Sequence, residues 1–252
     1  MMPITGIVIT LNESAMIAEC LHSLRRICDE IIVVDSLSSD DTSEIAAREG
    51  AKVIKQTYLG DGPQKAHGVP FAKNDWIFSL DADERLEDDA VALIRELPLD
   101  NPRMAYAFRR RNFVGTHWIK AAGFYPDSVV RLYNRNSAGY LPRKHHSKVE
   151  APKVRHTKTH LRHFTYEDLS HWIRRIDELS ALDAWAMKSR GVKPSTLRPT
   201  THAFAALLQK LVLKGGLFQG SDGMTVAVTT AFNSYMKYLK LNELYEQDST
   251  QP

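Results

Sequence analysis

Residues 30–55 read EIIVVDSLSSDDTSEIAAREGAKVIK, from Glu30 to Lys55. The first six residues are a β-branched apolar run closed by Asp35, the pattern of a strand buried on both faces. SLSSDD is a polar turn, and Asp41 with Glu44 fits a capping box ahead of the helical EIAAREG. Gly50 is the helix stop and AKVIK a third short strand. Strand, helix and strand joined by crossovers this short imply a parallel sheet with helices packed on it. The flanking sequence repeats the unit. ITGIVITL (Ile4–Leu11) is another buried strand. Asn12, Glu13 and Ser14 then offer caps to a helix carrying Ile17, Cys20, Leu21 and Leu24 on one face. DWIFSL (Asp75–Leu80) is a fourth strand, followed by a helix over Asp88–Leu97. The result is a nucleotide-binding half-sheet of Rossmann type, and no GxGxxG fingerprint marks it for a dinucleotide.

Beyond PLDNP (Pro98–Pro102) the pattern changes. Ala105–Arg111 and Val129–Arg135 read as strands rich in aromatic and basic residues, separated by the loop-like VGTHWIKAAGFYPD. From Tyr166 the chain turns helical, with a linker around KPSTLRP and a break at Lys214, Gly215 and Gly216. Three parts are expected: residues 1–100 as the nucleotide-sugar half, 101–165 as the acceptor half, and 166–252 as a helical C-terminal extension. The 252 residues are 43% hydrophobic and 25% charged, an ordinary globular composition. A net charge of +3 does not announce a nucleic-acid binder. Two cysteines, Cys20 and Cys28, are too few for a disulfide framework. A reducing compartment, the cytoplasm, is therefore expected, and MMPITGIVITLNES, without a basic n-region or cleavage site, does not read as a secretion signal.

The chemistry gathers where the fourth strand ends. WIFSLDADER (Trp76–Arg85) runs from apolar side chains straight into Asp81, Asp83 and Glu84. Like charges there repel one another and resist dehydration. If the strand continues briefly, Asp81 and Asp83 point the same way. Two carboxylates on one edge suit a hard divalent cation, Mg²⁺ or Mn²⁺, that completes its shell with phosphate oxygens and water. Asn12 and Glu13 after the first strand, and Asp35 after the second, reach the same carboxyl edge, where ligands bind in open α/β sheets.

IVITLNES, EIIVVDSLSSDDT, GDGPQKAHG and WIFSLDADERL, in this order and spacing, resemble the blocks of glycosyltransferase family 2. GFYPDSVVRLYNR, HHSKVE, LRHFTYEDL and KGGLFQGSDG are similar to the lipopolysaccharide inner-core glucosyltransferases of the WaaE, KdtX and LgtF kind. The resemblance implies the GT-A fold: a Rossmann-like nucleotide-sugar sheet with helices on both faces, plus a C-terminal helical extension. It implies that Asn12, Glu13 and Asp35 hold the uracil and ribose of a UDP-sugar. Lys65, in the GPQK turn, would meet phosphate or donor sugar, Asp81 the ribose or metal, and His163 the diphosphate. Asp83 would be the principal metal ligand. The implied reaction is an inverting transfer of a hexose, glucose from UDP-glucose, to a heptose of a phosphorylated lipopolysaccharide core. Such a displacement needs a base on the acceptor hydroxyl.

At the base the sequence departs from its relatives. They carry His-Glu after the RLY strand, and this chain carries His145 and His146. Neutral imidazole accepts a proton near pH 7, so His146 and Asp127 of the YPD turn are both candidates. Five histidines between His145 and His163 lack the thiolates of a structural zinc site, and zinc is not expected. Arg109, Arg110, Arg111, Lys120, Arg131, Arg135, Arg143 and Lys144 fit recognition of an anionic glycolipid. Residues 203–244 mix apolar side chains with Lys210, Lys214, Lys237 and Lys240, a pattern for the cytoplasmic face of a membrane, a dimer face or packing on the domain. The rival readings are another acceptor (polyprenyl phosphate or protein), a nucleotidyltransferase, or a binding module without catalysis.

Overall fold

The computed structural model describes residues 2–141 and 147–250. In chain order the elements begin with β1 (Ile4–Thr10), α1 (Ile17–Leu24), β2 (Glu30–Asp35), α2 (Thr42–Arg48) and β3 (Lys52–Lys55). Next come α3 (Asp61–Gly68), β4 (Trp76–Asp81), β5 (Glu84–Leu86), α4 (Asp88–Glu96) and β6 (Met104–Val114). Then follow β7 (His117–Trp118), β8 (Asp127–Asn134), β9 (Gly139–Tyr140), β10 (Val149–Glu150) and β11 (Lys153–Tyr166). Three helices close the chain: α5 (Leu169–Ser189), α6 (Arg198–Leu208) and α7 (Gly220–Thr250). Two compact units divide it: Met1–Arg111 with Pro126–Phe164, and Asn112–Tyr125 with Thr165–Pro252.

Strand order among the described residues is β3-β2-β1-β4-β8-β6-β11-β5. β3, β2, β1 and β4 are parallel, as their apolar runs and helical crossovers require. β8 then pairs antiparallel with β4 and β6 with β8. Alternating side chains send Ile4, Val8, Val33 and Phe78 to one face, where α1 and α4 pack with Leu21 and Ile94. Ile7, Ile32, Val34 and Ile77 go to the other, against Tyr133 and Val69. Each such side chain fully buried contributes about 1.5–3 kcal/mol. α3 comes close to the sheet because Gly68 has no side chain; a Cβ there would stand 3.0 Å from Cγ2 of both Ile7 and Val34.

Several local expectations are corrected. Asn12, Glu13 and Ser14 do not cap α1 with their side chains, and Asp41 makes no side-chain cap on α2. The polar groups join two loops instead. Asn12 Oδ1 accepts from Ser39 N at 2.8 Å, Thr42 Oγ1 accepts from Glu13 N at 2.8 Å, and Asp40 Oδ2 accepts from Ser14 N. GPQK is not a turn: Lys65 lies inside α3. The strand does not continue through the acidic motif, since β4 ends at Asp81 and the chain turns at Ala82 and Asp83 into β5. The histidine-bearing stretch is largely the fourteen-residue strand β11.

In the second unit, β7 pairs with the end of β6 through Phe113↔Trp118 and Val114↔His117. Ile119, Ala122, Trp172, Ile176 and Val226 form one small core there, and Ala184, Met187 and Leu241 another. No helix among the described residues is long and apolar enough to cross a membrane.

Candidate active site

The parallel register sets the site out. Thr10, the last residue of β1, lies opposite Asp35, and Ile9 lies opposite Asp81. Asp35 and Asp81 therefore flank the carboxyl end of β1, on strands about 10 Å apart at two inter-strand spacings. Asp35 is fully buried, and its carboxylate accepts from Ser38 N at 3.0 Å and from Ser38 Oγ. Asn12 (φ 55°) and Leu37 (φ 66°) hold left-handed backbone in the two loops that face each other at this edge. For a leucine that conformation is strained, and such strain collects at ligand sites. Leu37 nevertheless projects into solvent.

The acidic turn is neutralised from within. Lys65 Nζ lies 2.7 Å from Asp81 Oδ1, and Arg131 Nη2 lies 2.9 Å from Asp81 Oδ2. Burial opposes the charge on Asp81, but Lys65 and then Arg131 outweigh it and hold the carboxyl well below the usual range. The same pair reverses matters for Lys65. Burial pulls its pKa down, Asp81 more than restores it, and the ammonium is kept. Glu84 is wholly buried and paired to Arg131 and, at 3.4 Å, to Arg110 Nη1. Arg85 braces the turn itself: Nη1 donates to the carbonyls of Ala82 and Glu84, while Nε faces Glu19 at 3.6 Å. The crowding of Asp81, Asp83 and Glu84 is thus offset by protein cations before any ligand arrives.

Asp83 differs from its neighbours. Its Oδ2 faces His163 Nε2 at 3.3 Å, while its Oδ1 is buried without a hydrogen-bond partner. β5 and β11 bring the histidine there through the register His163↔Glu84. Burial lowers the His163 pKa, but Asp83 and its hydrogen bond outweigh that and raise it, favouring imidazolium. A buried carboxylate oxygen left unmatched is costly, and it is the donor type a hard divalent cation takes. The residues therefore fit a divalent ion at Asp83. At Asp81 both oxygens are already committed to Lys65 and Arg131.

Asp127 opens β8 opposite Arg110 on β6. Its Oδ2 accepts from Arg110 Nε at 2.8 Å and lies 2.7 Å from Nη2. Arg110 thus links Asp127 to Glu84 and the acidic turn. His145, His146, Arg143 and Lys144 lie outside the described residues. The expected anion-binding arginines are largely spent internally: Arg111 on Glu87, Arg135 on Asp75, and Arg110 and Arg131 as above. Arg85, Arg110 and Arg131 had no assigned part in the acidic turn on sequence grounds, and Glu84 was counted among its carboxylates without a role of its own. One signal was available for Glu84, a third carboxylate at the end of a buried strand. His160 is held by Asp89 at 2.6 Å beside Glu87, which Arg111 and Arg162 already engage.

Residues 5–168, about two thirds of the chain, match the family described as "Glycosyl transferase family 2". The chain belongs to glycosyl transferase family 2. It is a glycosyltransferase dependent on a nucleotide-sugar, with a GT-A sheet and a C-terminal helical extension. An uncharacterized glycosyltransferase of Rickettsia prowazekii is 30% identical, over 97% of this chain and 88% of its own. The lipopolysaccharide core biosynthesis glycosyltransferase LpsC of Rhizobium meliloti is 28% identical over 95% and 92%. Among solved structures, glucosyl-3-phosphoglycerate synthase from Mycobacterium tuberculosis, in complex with Mn²⁺, UDP-glucose and phosphoglyceric acid, is 25% identical. It covers 44% of each chain at a TM-score of 0.35, a likeness that carries no weight for the site.

Proposed function

We propose that this family 2 enzyme is an inverting, metal-dependent hexosyltransferase that moves glucose from UDP-glucose to a heptose of the lipopolysaccharide inner core. The observation that carries the metal and diphosphate reading is Asp83 Oδ1, a buried carboxylate oxygen without a partner in a turn surrounded by cations. Asp83 holds a divalent cation, Mg²⁺ or Mn²⁺. When bound, that ion supplies Lewis-acid stabilisation of the departing diphosphate. Lys65 and Arg131 keep Asp81 ionised and in place, and lend positive charge beside the diphosphate. His163, whose imidazolium form is favoured by its contact with Asp83, faces the same phosphates. The joined loops at Asn12–Ser14 and Ser38–Thr42 frame the uracil and ribose over Asp35.

On this reading Asp127 accepts the acceptor's proton; support comes from Arg110, which pairs with both Asp127 and Glu84 and so links the candidate base to the acidic turn. His145 and His146 are the other candidates for the base. The core acceptor is supported by the resemblance of the rear blocks and by the relative whose name places it in lipopolysaccharide core biosynthesis. That acceptor is a phosphorylated glycolipid, met at the cytoplasmic face of the inner membrane.

Calorimetry of UDP and UDP-sugars, with and without Mn²⁺, tests the reading. Asp83→Ala is expected to abolish the Mn²⁺-dependent part of UDP binding while thermal unfolding stays cooperative; unchanged Mn²⁺ dependence removes the metal from Asp83. Among UDP-glucose, UDP-galactose, UDP-GlcNAc and GDP-mannose, the first should bind tightest. Asp127→Asn is expected to slow transfer by roughly a hundredfold or more, the scale of general-base catalysis. Full activity in that variant moves the base to His146.

A further inference from the structure

Ser79 interrupts an otherwise apolar strand. It stands fully buried in WIFSLD, with Phe78 and Leu80 on either side. A buried hydroxyl left without a partner is costly, and Ser79 has one: its Oγ lies 2.7 Å from the hydroxyl oxygen of Tyr140. Ser79 and Asp81 are two residues apart on β4 and so face the same side of the sheet. The bond therefore brings the Tyr140 ring up beside the acidic turn. Lys65 Nζ sits over that ring, 5.5 Å from its centroid, and 2.7 Å from Asp81 Oδ1. Lys65 is itself buried, so a carboxylate and an aromatic face hold its ammonium where water does not.

Tyr140 comes from a small piece of structure outside the main sheet. β9 and β10 pair with each other, through Val149↔Tyr140 and Glu150↔Gly139. Strands this short do not hold together alone in water, so other contacts must fix the hairpin. Val149 is buried in the core that contains Ile7, Ile77 and Tyr133. Tyr140 meets the Tyr133 ring edge to face, with centroids 6.0 Å apart. On α3, Gly62 permits a close approach: a Cβ there would run into Ser147 Oγ and stand 3.0 Å from Leu141 O. The hairpin is thus clamped both to the helix that carries Lys65 and to the strand that carries Asp81.

Arg131 Nη2 already meets the other oxygen of Asp81 at 2.9 Å, so the charge on that carboxylate is matched without Tyr140. The ring acts on the lysine instead. An ammonium is a point charge on a flexible four-carbon stem, and one contact leaves it free to swing. The negative face of an aromatic ring supplies a second contact, and the attraction is strongest where water is excluded. An aliphatic side chain would serve the packing of the hairpin as well. It would leave Ser79 without a partner and Lys65 without the ring.

We infer that Tyr140 is a positioning residue: anchored on Ser79, its ring fixes the Lys65 ammonium against Asp81 and so beside the diphosphate of the donor. The last step rests on the proposed place of Lys65 at the diphosphate; the hold of the ring on the ammonium does not.

Calorimetry of UDP with Mn²⁺, and urea unfolding, on the full chain and its variants test it. Tyr140→Leu removes ring and hydroxyl and is expected to weaken UDP binding about tenfold, the scale of a cation–π contact closed to water. Tyr140→Phe keeps the ring and should recover most of that loss. Because Tyr140 acts through Lys65, adding Tyr140→Leu to Lys65→Met should change UDP binding by no more than about twofold. A ring that served only to pack the hairpin would cost the same affinity in both backgrounds. Where Lys65→Met weakens binding, the inference is overturned by such equal losses, by a Tyr140→Leu variant that binds like the parent, or by a loss that Phe does not rescue. Should Tyr140→Leu fail to unfold cooperatively, Ser79→Ala takes its place in the same comparison. It removes the anchor of the ring and little volume, and a loss of a few-fold, absent in the Lys65→Met background, is expected. A Lys65→Met variant that binds UDP as tightly as the parent removes Lys65 from the diphosphate instead. The unfolding of the same four proteins then decides: non-additive losses of stability sustain the hold of the ring on the ammonium, and additive losses overturn it.

Discussion

Replacing Lys65 by Met tests the internal neutralisation of the acidic turn most directly. The substitution keeps the side chain's length, and a thioether is compatible with the Tyr140 ring, over which Nζ now sits 5.5 Å from the centroid. What is removed is a charge 2.7 Å from Asp81 Oδ1. Stripping one partner from a buried ion pair costs about 3–5 kcal/mol. Asp81 retains Arg131 at 2.9 Å, and 28% of its side chain is open to water, so the cost belongs near the lower end, about 3 kcal/mol. With a urea slope of about 3 kcal/mol per molar for a chain this size, the unfolding midpoint should drop by about 1 M. On the proposed reading, Mn²⁺ should restore part of that loss, because the freed Oδ1 of Asp81 would offer the ion a further carboxylate oxygen. Urea unfolding of parent and Lys65→Met, each with and without Mn²⁺, reads both effects. An unchanged midpoint refutes the role of the pair. Equal Mn²⁺ shifts in the two proteins refute the idea that Lys65 occupies a ligand position.

Two further outcomes follow from the loops and helix that carry the site. Asp40 is held down to about 2: burial works against its charge, but hydrogen bonds from Thr42 and Ser14 outweigh it. Its contribution is therefore fully present above the unfolded value near 4 and lost as pH falls towards 2. Asp40→Asn should be less stable than the parent at pH 7, and the gap should close in urea titrations run at successively lower pH. Gly68→Ala would place a Cβ 3.0 Å from Ile7 and Val34. It should cost about 1–3 kcal/mol as an overpacked contact. By lifting α3 it should also weaken UDP binding in calorimetry, whereas Ala at Gly139, where no atom lies within 4 Å, should do neither.

What could be read from the sequence divides along physical lines. β1, β2 and β4 are continuous apolar runs because they are buried on both faces, and such runs declare themselves. β11 does not: KVRHTKTHLRHFTY buries little beyond Thr157 and Leu161, so no two-residue alternation of polarity shows. α3 was hidden for a different reason. DGPQKAHG has poor helix formers, and the helix is secured by tertiary contacts, including Gln64, which bonds to Leu59 N, Gln56 O and Ser36 Oγ. Asn12, Ser14 and Asp41 look like caps because their chemistry is that of caps. Asn12 and Ser14 in fact bond residues 26 or 27 positions away, a choice local sequence does not encode. The candidate donor-side residues Asp35, Asp81 and Asp83 were visible at the strand ends. Their partners were not, since Arg131 reaches Asp81 across 50 residues through the pairing of β8 with β4.

Those partners change what the acidic motif means. Asp81, Asp83, Glu84 and Asp127 face Lys65, Arg110 and Arg131, and His163 stands against Asp83, so the acidic set is largely compensated by its own surroundings. A pocket balanced in this way attracts neither a lone dication nor a lone diphosphate strongly, because either would leave excess charge in a partly buried site. The two together add nothing net: the two negative charges of a UDP-sugar diphosphate are matched by one divalent ion. On the proposed reading, donor and metal therefore bind as one neutral unit, each raising the affinity for the other by the same factor. Departure of the sugar breaks the balance. UDP retains a further negative charge on its terminal phosphate, and that surplus in the balanced pocket favours release. The motif's charge is thus not a standing demand for metal. It is one half of a compensated set that makes donor and ion wait for each other.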